Sequence, residues 1–104
     1  MDLAEARGAA QTELETFSTA DNPLQLVDDD AVADIGWGWV FAFSTKRWFE
    51  TQDPADAPPP GIGPIVVRKD SGEAFSLGST PSFDMQLVEY ATRQGLPAPT
   101  PLGW

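Results

Sequence analysis

The heptapeptide WGWVFAF, residues 37–43, constrains this chain more than any other stretch. It sets four aromatic rings, Trp37, Trp39, Phe41 and Phe43, at every second position, with only glycine, valine and alanine between them. Alternate side chains of a strand point to opposite faces, so the spacing predicts one face of four rings and one of Gly38, Val40 and Ala42. Each ring can bury roughly 150–250 Å². At ~25 cal/mol per Å² the four amount to a gross ~15–25 kcal/mol, an upper bound. Leaving that face in water would forfeit much of the core. The stretch is therefore expected to be the central strand, its rings covered by helices, with replacement of Trp39 damaging the fold. A stacking platform for nucleic-acid bases needs cations beside its rings, and only Lys46 and Arg47 lie near in sequence.

The chain has 104 residues, 41% hydrophobic and 21% charged, which suits one folded domain and is too short for two. A single domain is expected over residues 1–95, followed by an extended proline-rich tail over 96–104. Acids outnumber bases 16 to 6, for a formal net charge of −10. Such a surface repels phosphate backbones and anionic headgroups, so neither nucleic acid nor membrane is an expected partner. The acidity is concentrated early, with nine acids and one base in residues 1–35. There is no cysteine and no histidine, which removes disulfides, Cys/His metal sites, thiol nucleophiles and the imidazole base together. No cofactor or metal is expected. The N-terminus is amphipathic and no apolar run nears the roughly 20 residues of a membrane span, so a cytoplasmic protein is expected.

Leu3, Ala6, Ala10, Leu14 and Phe17 step by three or four and predict a helix from Asp2, with Asp2 and Glu5 as a capping box. STADNP, residues 18–23, ends it, and a short strand follows at Leu24–Val27. DDDAVAD, residues 28–34, reads as the charged hairpin connection to an aromatic strand running from Ile35 to Ser44. TKRWFETQDPADAPPPG is expected to be a long loop, its second half kept irregular by prolines 54, 58, 59 and 60. Lys69-Asp70-Ser71-Gly72 predicts a turn joining strands at Pro64–Arg68 and Glu73–Leu77. A last helix is predicted over Pro81–Arg93, with Thr80 as N-cap, Gly95 as C-cap and an apolar stripe of Phe83, Leu87, Tyr90 and Ala91. LPAPTPLGW, residues 96–104, should lie extended on the surface, with Trp104 as a plug, or fray. The order points to an α+β fold, a four-stranded antiparallel sheet with the N-terminal and C-terminal helices packed on one face.

GIGP, residues 61–64, looks like part of a phosphate loop, but it follows prolines and opens a strand instead of a helix, so backbone freedom explains it better. Asp28, Asp29, Asp30 and Asp34 form a carboxylate cluster whose spacing does not fit a calcium loop. It stands as a solvated turn, a partner-binding acidic patch or, least well supported, a metal or catalytic site. The serines have no histidine to activate them, and no enzyme is expected. Trp48 and Phe49, beside Glu50, form a mixed aromatic and charged cluster of the kind used at interfaces, or else a lid folded on the core. The candidate partner-binding residues are thus Asp28, Asp29, Asp30, Asp34, Trp48, Phe49 and Glu50.

In order and spacing, GWGWVFAF, GIGPIVVRKDSGEAF and GSTPSFDMQLVEY resemble the immunity protein 35 family, also called YrhB-like, over about residues 1–92. The resemblance implies a small α+β protein that protects a bacterium by binding a cognate toxin domain of a polymorphic system, without chemistry of its own. The −10 charge adds the expectation of a basic toxin, and the chain is expected to be a monomer or weak homodimer. The alternative is a chaperone-like, heat-stable protein that binds unfolded clients, which would need an exposed apolar groove.

Overall fold

The computed structural model describes residues 2–18, 23–52, 63–78 and 81–103. The predicted stripe forms helix α1, Leu3–Glu15, started by Asp2, whose carboxylate accepts the Glu5 N–H at 2.9 Å. Strands follow at Leu24–Leu26 (β1), Ala33–Asp34 (β2), Gly38–Phe41 (β3) and Phe43–Thr45 (β4), then a short helix α2, Lys46–Thr51. Strands β5, Ile65–Arg68, and β6, Ala74–Ser76, and helix α3, Phe83–Gln94, complete the order. The fold is α+β, and its four-stranded antiparallel sheet runs β2-β3-β5-β6, with β1 and β4 paired beside it.

The acidic segment is not the hairpin turn. Leu26 pairs with Phe43 and Ala33 with Val40, so seven residues advance on one side against three on the other, and four are extruded. They hold the 3-10 turn Asp29–Ala31. The true turn lies at Ile35–Gly38, closed by the Ile35 N–H donating to the Gly38 carbonyl at 3.0 Å, with Gly36 at φ 101°. The left-handed backbone at Gly36 lifts Trp37 out of the strand, so regular alternation begins only at Gly38.

Consequently the four rings do not share a face. Trp39, Phe41 and Phe43 pack with Ala6, Ala10 and Leu14 of α1, whereas Trp37 joins Ile35, Val40 and Val66 against Leu87 and Ala91 of α3. The two terminal helices therefore lie on opposite faces of the sheet, which corrects the expectation of helices on one face. The physical reason sits in β5, where Ile65 and Val67 enter the first core and Val66 the second, all three fully buried. An antiparallel sheet apolar on both sides needs a cover on each. The small-residue face of the aromatic strand is likewise filled, by α3 and by the chain after it.

The second hairpin forms as expected, with Ile65 opposite Ser76 and the turn closed by the Gly72 N–H on the Arg68 carbonyl, Gly72 at φ 74°. Two glycines carry close backbone contacts across the strands. A Cβ on Gly38 would stand 2.8 Å from the Val67 carbonyl oxygen, and one on Gly63 would run into the carbonyl of Leu77, which accepts the Gly63 N–H. Glycine is required at both places by space. Helix α3 begins at the N-cap Ser82, two residues after the expected Thr80, which lies outside the described residues. It ends at Gly95 (φ 69°) as expected. The stripe of Phe83, Leu87, Tyr90 and Ala91 packs on the sheet as predicted. The chain then turns back along the molecule, where Leu96 and Leu102 pack against the second core and the Thr100 N–H donates to the Ile35 carbonyl at 3.1 Å. Trp104 and the proline segment 53–62 lie outside the described residues.

Phe41→Ala should cost about 3–5 kcal/mol in chemical denaturation, because the side chain is fully buried in the first core. Trp39→Ala should cost clearly less, since Trp39 is only partly buried. Gly63→Ala should cost about 2 kcal/mol or more through the clash with Leu77. A fully stable Gly63→Ala would show that the strand start yields freely.

Candidate functional site

The acidic residues leave the hairpin as a bulge and are partly claimed by the fold. Arg7 on α1 holds Asp29 through its Nε at 2.6 Å and the Val27 carbonyl through Nη2 at 2.6 Å, fastening the extruded turn to the helix. Asp34 pairs with Lys69 at 2.9 Å and accepts the Gly36 N–H at 2.9 Å. The Lys69 hydrogen bond, then the Gly36 N–H, hold the Asp34 carboxyl below its ordinary 3.8. Lys69 also stands 4.7 Å from the centre of the Trp39 ring, so one cation ties the two hairpins and covers an aromatic face. Asp28 and Asp30 are exposed on the same bulge.

Trp48 and Phe49 lie on α2, which caps the end of β4 instead of opening a loop. Thr45 is its N-cap, accepting the Trp48 N–H at 2.9 Å, and Gln52 closes it in the left-handed conformation at φ 57°. The two rings meet edge to face at 5.4 Å and are half-buried, with Glu50 exposed beside them. The acidic bulge follows the Leu26 end of β1, whereas α2 follows Thr45, which pairs with Leu24 at the other end. The structure thus separates the two candidate clusters by at least the length of that ribbon, about 7 Å at ~3.3 Å per residue. Among the described residues no group of three or more His, Cys, Asp or Glu side chains is placed to hold a metal ion, and no helix is long and apolar enough to cross a membrane.

The sequence reading passed over the outward side of α3. At about 100° per residue, Met85 lies about 160° round the helix from Leu87, with Val88 and Thr92 alongside it. Met85 is 62% and Val88 51% exposed. Around this face the helix is firmly held. Gln86 clamps Gly78 through both the Gly78 N–H and its carbonyl at 2.9 Å, and also donates to the Pro81 carbonyl at 2.7 Å. Asp84 accepts the N–H groups of Leu102 at 2.7 Å and Gly103 at 3.3 Å, pinning the returning chain to the first turn. On the inner side, Tyr90 stacks 4.4 Å from Phe75 and 5.5 Å from Trp37, and its hydroxyl accepts from Arg68 at 3.3 Å. Arg68 is in turn gripped by both oxygens of Asp70, at 3.0 and 2.6 Å, which keeps the Asp70 carboxyl below its ordinary value. A second apolar stripe in residues 85–92 was visible in the sequence, had the helical projection been carried past the core face.

A helix on each side of an antiparallel sheet, in a chain of net charge −10, defines a small acidic α+β protein. Residues 4–92 match the Immunity protein 35 family, and the chain belongs to it. It is 38% identical over 63 residues to the protein YrhB of Escherichia coli (strain K12), a match covering 58% of this chain and 66% of that protein, just short of two thirds of its length. No solved structure matches the chain.

The lowered Asp34 carboxyl makes a signed prediction. A depressed native pKa stabilises the fold in full above the ordinary value of 3.8 and loses that contribution as pH falls through the lowered native value. The exposed Lys69 pair should contribute up to about 1 kcal/mol. Asp34→Asn should therefore be less stable than the wild type in urea at pH 7, and the gap should close as pH falls below 3.8 and through the lowered native value. A gap that persists unchanged at low pH would assign the loss to packing.

Proposed function

We propose that this protein is an immunity protein that binds the toxin domain encoded beside it and silences it by occupation, with no catalysis of its own. The observation that carries this reading is family membership over residues 4–92. It is supported by a −10 charge and by a rigid acidic surface whose ionisable groups serve as ties. A basic toxin suits that charge, because complementary fields speed encounter and suppress wrong partners. The site of action is the cytoplasm, where a producing cell meets its own toxin, and the protein works as a monomer or weak homodimer.

Within this reading the exposed carboxylates of Asp28 and Asp30 contribute most to steering, with Asp29 largely committed to Arg7 and Asp34 to Lys69. Trp48, Phe49 and Glu50 form a second patch at the end of the β1-β4 ribbon. The client-binding reading finds support in the exposed Met85 and Val88, yet these sit on a helix tied at both ends, which favours one defined epitope over a variable groove.

The test is titration of the purified chain against the toxin domain of the neighbouring gene. A saturable complex that abolishes toxin activity is expected, with association slowing as salt is raised. Asp28→Asn with Asp30→Asn should slow association roughly threefold at low salt and leave dissociation unchanged. Absence of any complex, together with broad suppression of aggregation of unrelated unfolded proteins, would replace the immunity reading by the client-binding one.

A further inference from the structure

The exposed apolar side chains of Met85 and Val88 lie together on the outer face of α3, where soluble proteins rarely leave neighbouring apolar groups without use. With Pro81 and Thr92 they floor an open groove of about 700 Å³, flanked by Asp84, Glu89 and Arg93. That volume falls in the range that takes ligands, but the groove is open along one helix face and does not enclose, so a protruding side chain of a broad surface fits it better than a small molecule. The face is also prepared in advance. Ser82 caps the helix, Gln86 clamps it to Gly78 and Pro81, and Asp84 holds the returning chain. A partner therefore meets a fixed backbone and orders little on binding, while the unbranched Met85 adapts to the shape it receives.

We propose that this face is the anchor of the toxin interface, taking an apolar side chain of a basic toxin domain between Met85 and Val88, with a lysine or arginine of the toxin meeting Glu89. The assignment rests on the immunity reading above. Charge complementarity selects the occupant: a chain of net charge −10 disfavours a second copy of itself, and with Asp84 already committed to the Leu102 and Gly103 N–H groups the rim offers Glu89 as acceptor, with Arg93 the one cation beside it among the residues lining the groove. Interfaces place apolar anchors at the centre and charges at the edge, as this groove does. Asp29 is tied to α1 on the opposite side of the sheet. The acidic bulge accordingly governs the rate of encounter and the α3 face the lifetime of the complex.

The experiment measures the affinity of the neighbouring gene's toxin domain for the wild type and for Met85→Ser/Val88→Ser, Glu89→Lys and Thr92→Arg. Thermal melts of the variants are run alongside. All the changes lie on the solvent side, so melting temperatures should hold. Thr92→Arg is a second route to blocking the groove if the double variant is destabilised. The double variant should bind about thirtyfold more weakly through faster dissociation, and Glu89→Lys about tenfold more weakly. No complex with the wild type would defeat the immunity reading itself. A wild-type complex that every variant matches would overturn the anchor and leave that reading standing. A wild-type dimer that the double variant dissolves would make a second copy the occupant and overturn it too.

Discussion

Strand β5 organises the molecule, because three consecutive apolar residues on it are buried and their side chains must leave in opposite directions. Ile65 and Val67 meet α1, and Val66 meets α3. A strand buried on both faces cannot stand at the edge of a one-sided sheet, so it sits inside the sheet with β3 on one side and β6 on the other. The close approach of its neighbours depends on Gly38 and Gly63, where a side chain would strike backbone. Two thin cores, each roofed by one helix, follow from that single strand.

The charged residues are distributed around this frame as ties. Arg7 fastens the acidic bulge to α1, Lys69 joins the two hairpins through Asp34 and Trp39, and Arg68 links the second hairpin to α3 through Asp70 and Tyr90. Exposed pairs of this kind add little to stability, so they orient elements that burial has already placed. What they leave over is functionally informative. Arg7, Arg68 and Lys69 are engaged in pairs while many carboxylates face water, which gives an acidic surface, and the outward side of α3 keeps two apolar groups with no internal use.

Much of the architecture was legible from local chemistry. The stripe of Ala6, Ala10 and Leu14, the turn at Lys69–Gly72 and the C-cap at Gly95 all depend on residues near one another in the chain, and each appears as read. Trp37 was misplaced because period-two spacing was carried through a residue that Gly36, at φ 101°, throws into a turn. Charge density in the acidic segment marks exposure without saying whether the chain reverses there, so a hairpin turn and an extruded bulge look alike in the sequence. Trp48 and Phe49 were read as loop residues, since a helix of two turns capped by Thr45 leaves little periodic signal. The α3 face was missed for another reason: the helix carries apolar residues on two sides, and only packing decides which side is core.

The sequence by itself determined the two terminal helices, the second hairpin, the need to bury an aromatic strand, the acidic character and the family, because these rest on side-chain spacing, charge and motif order. Only the tertiary structure decided that the helices lie on opposite faces, that the rings divide between two cores, and which carboxylates are held by cations. Those outcomes depend on strand register and on a four-residue extrusion between β1 and β2. Register is a relation between residues distant in the chain, and shifting it by one residue would exchange the two faces.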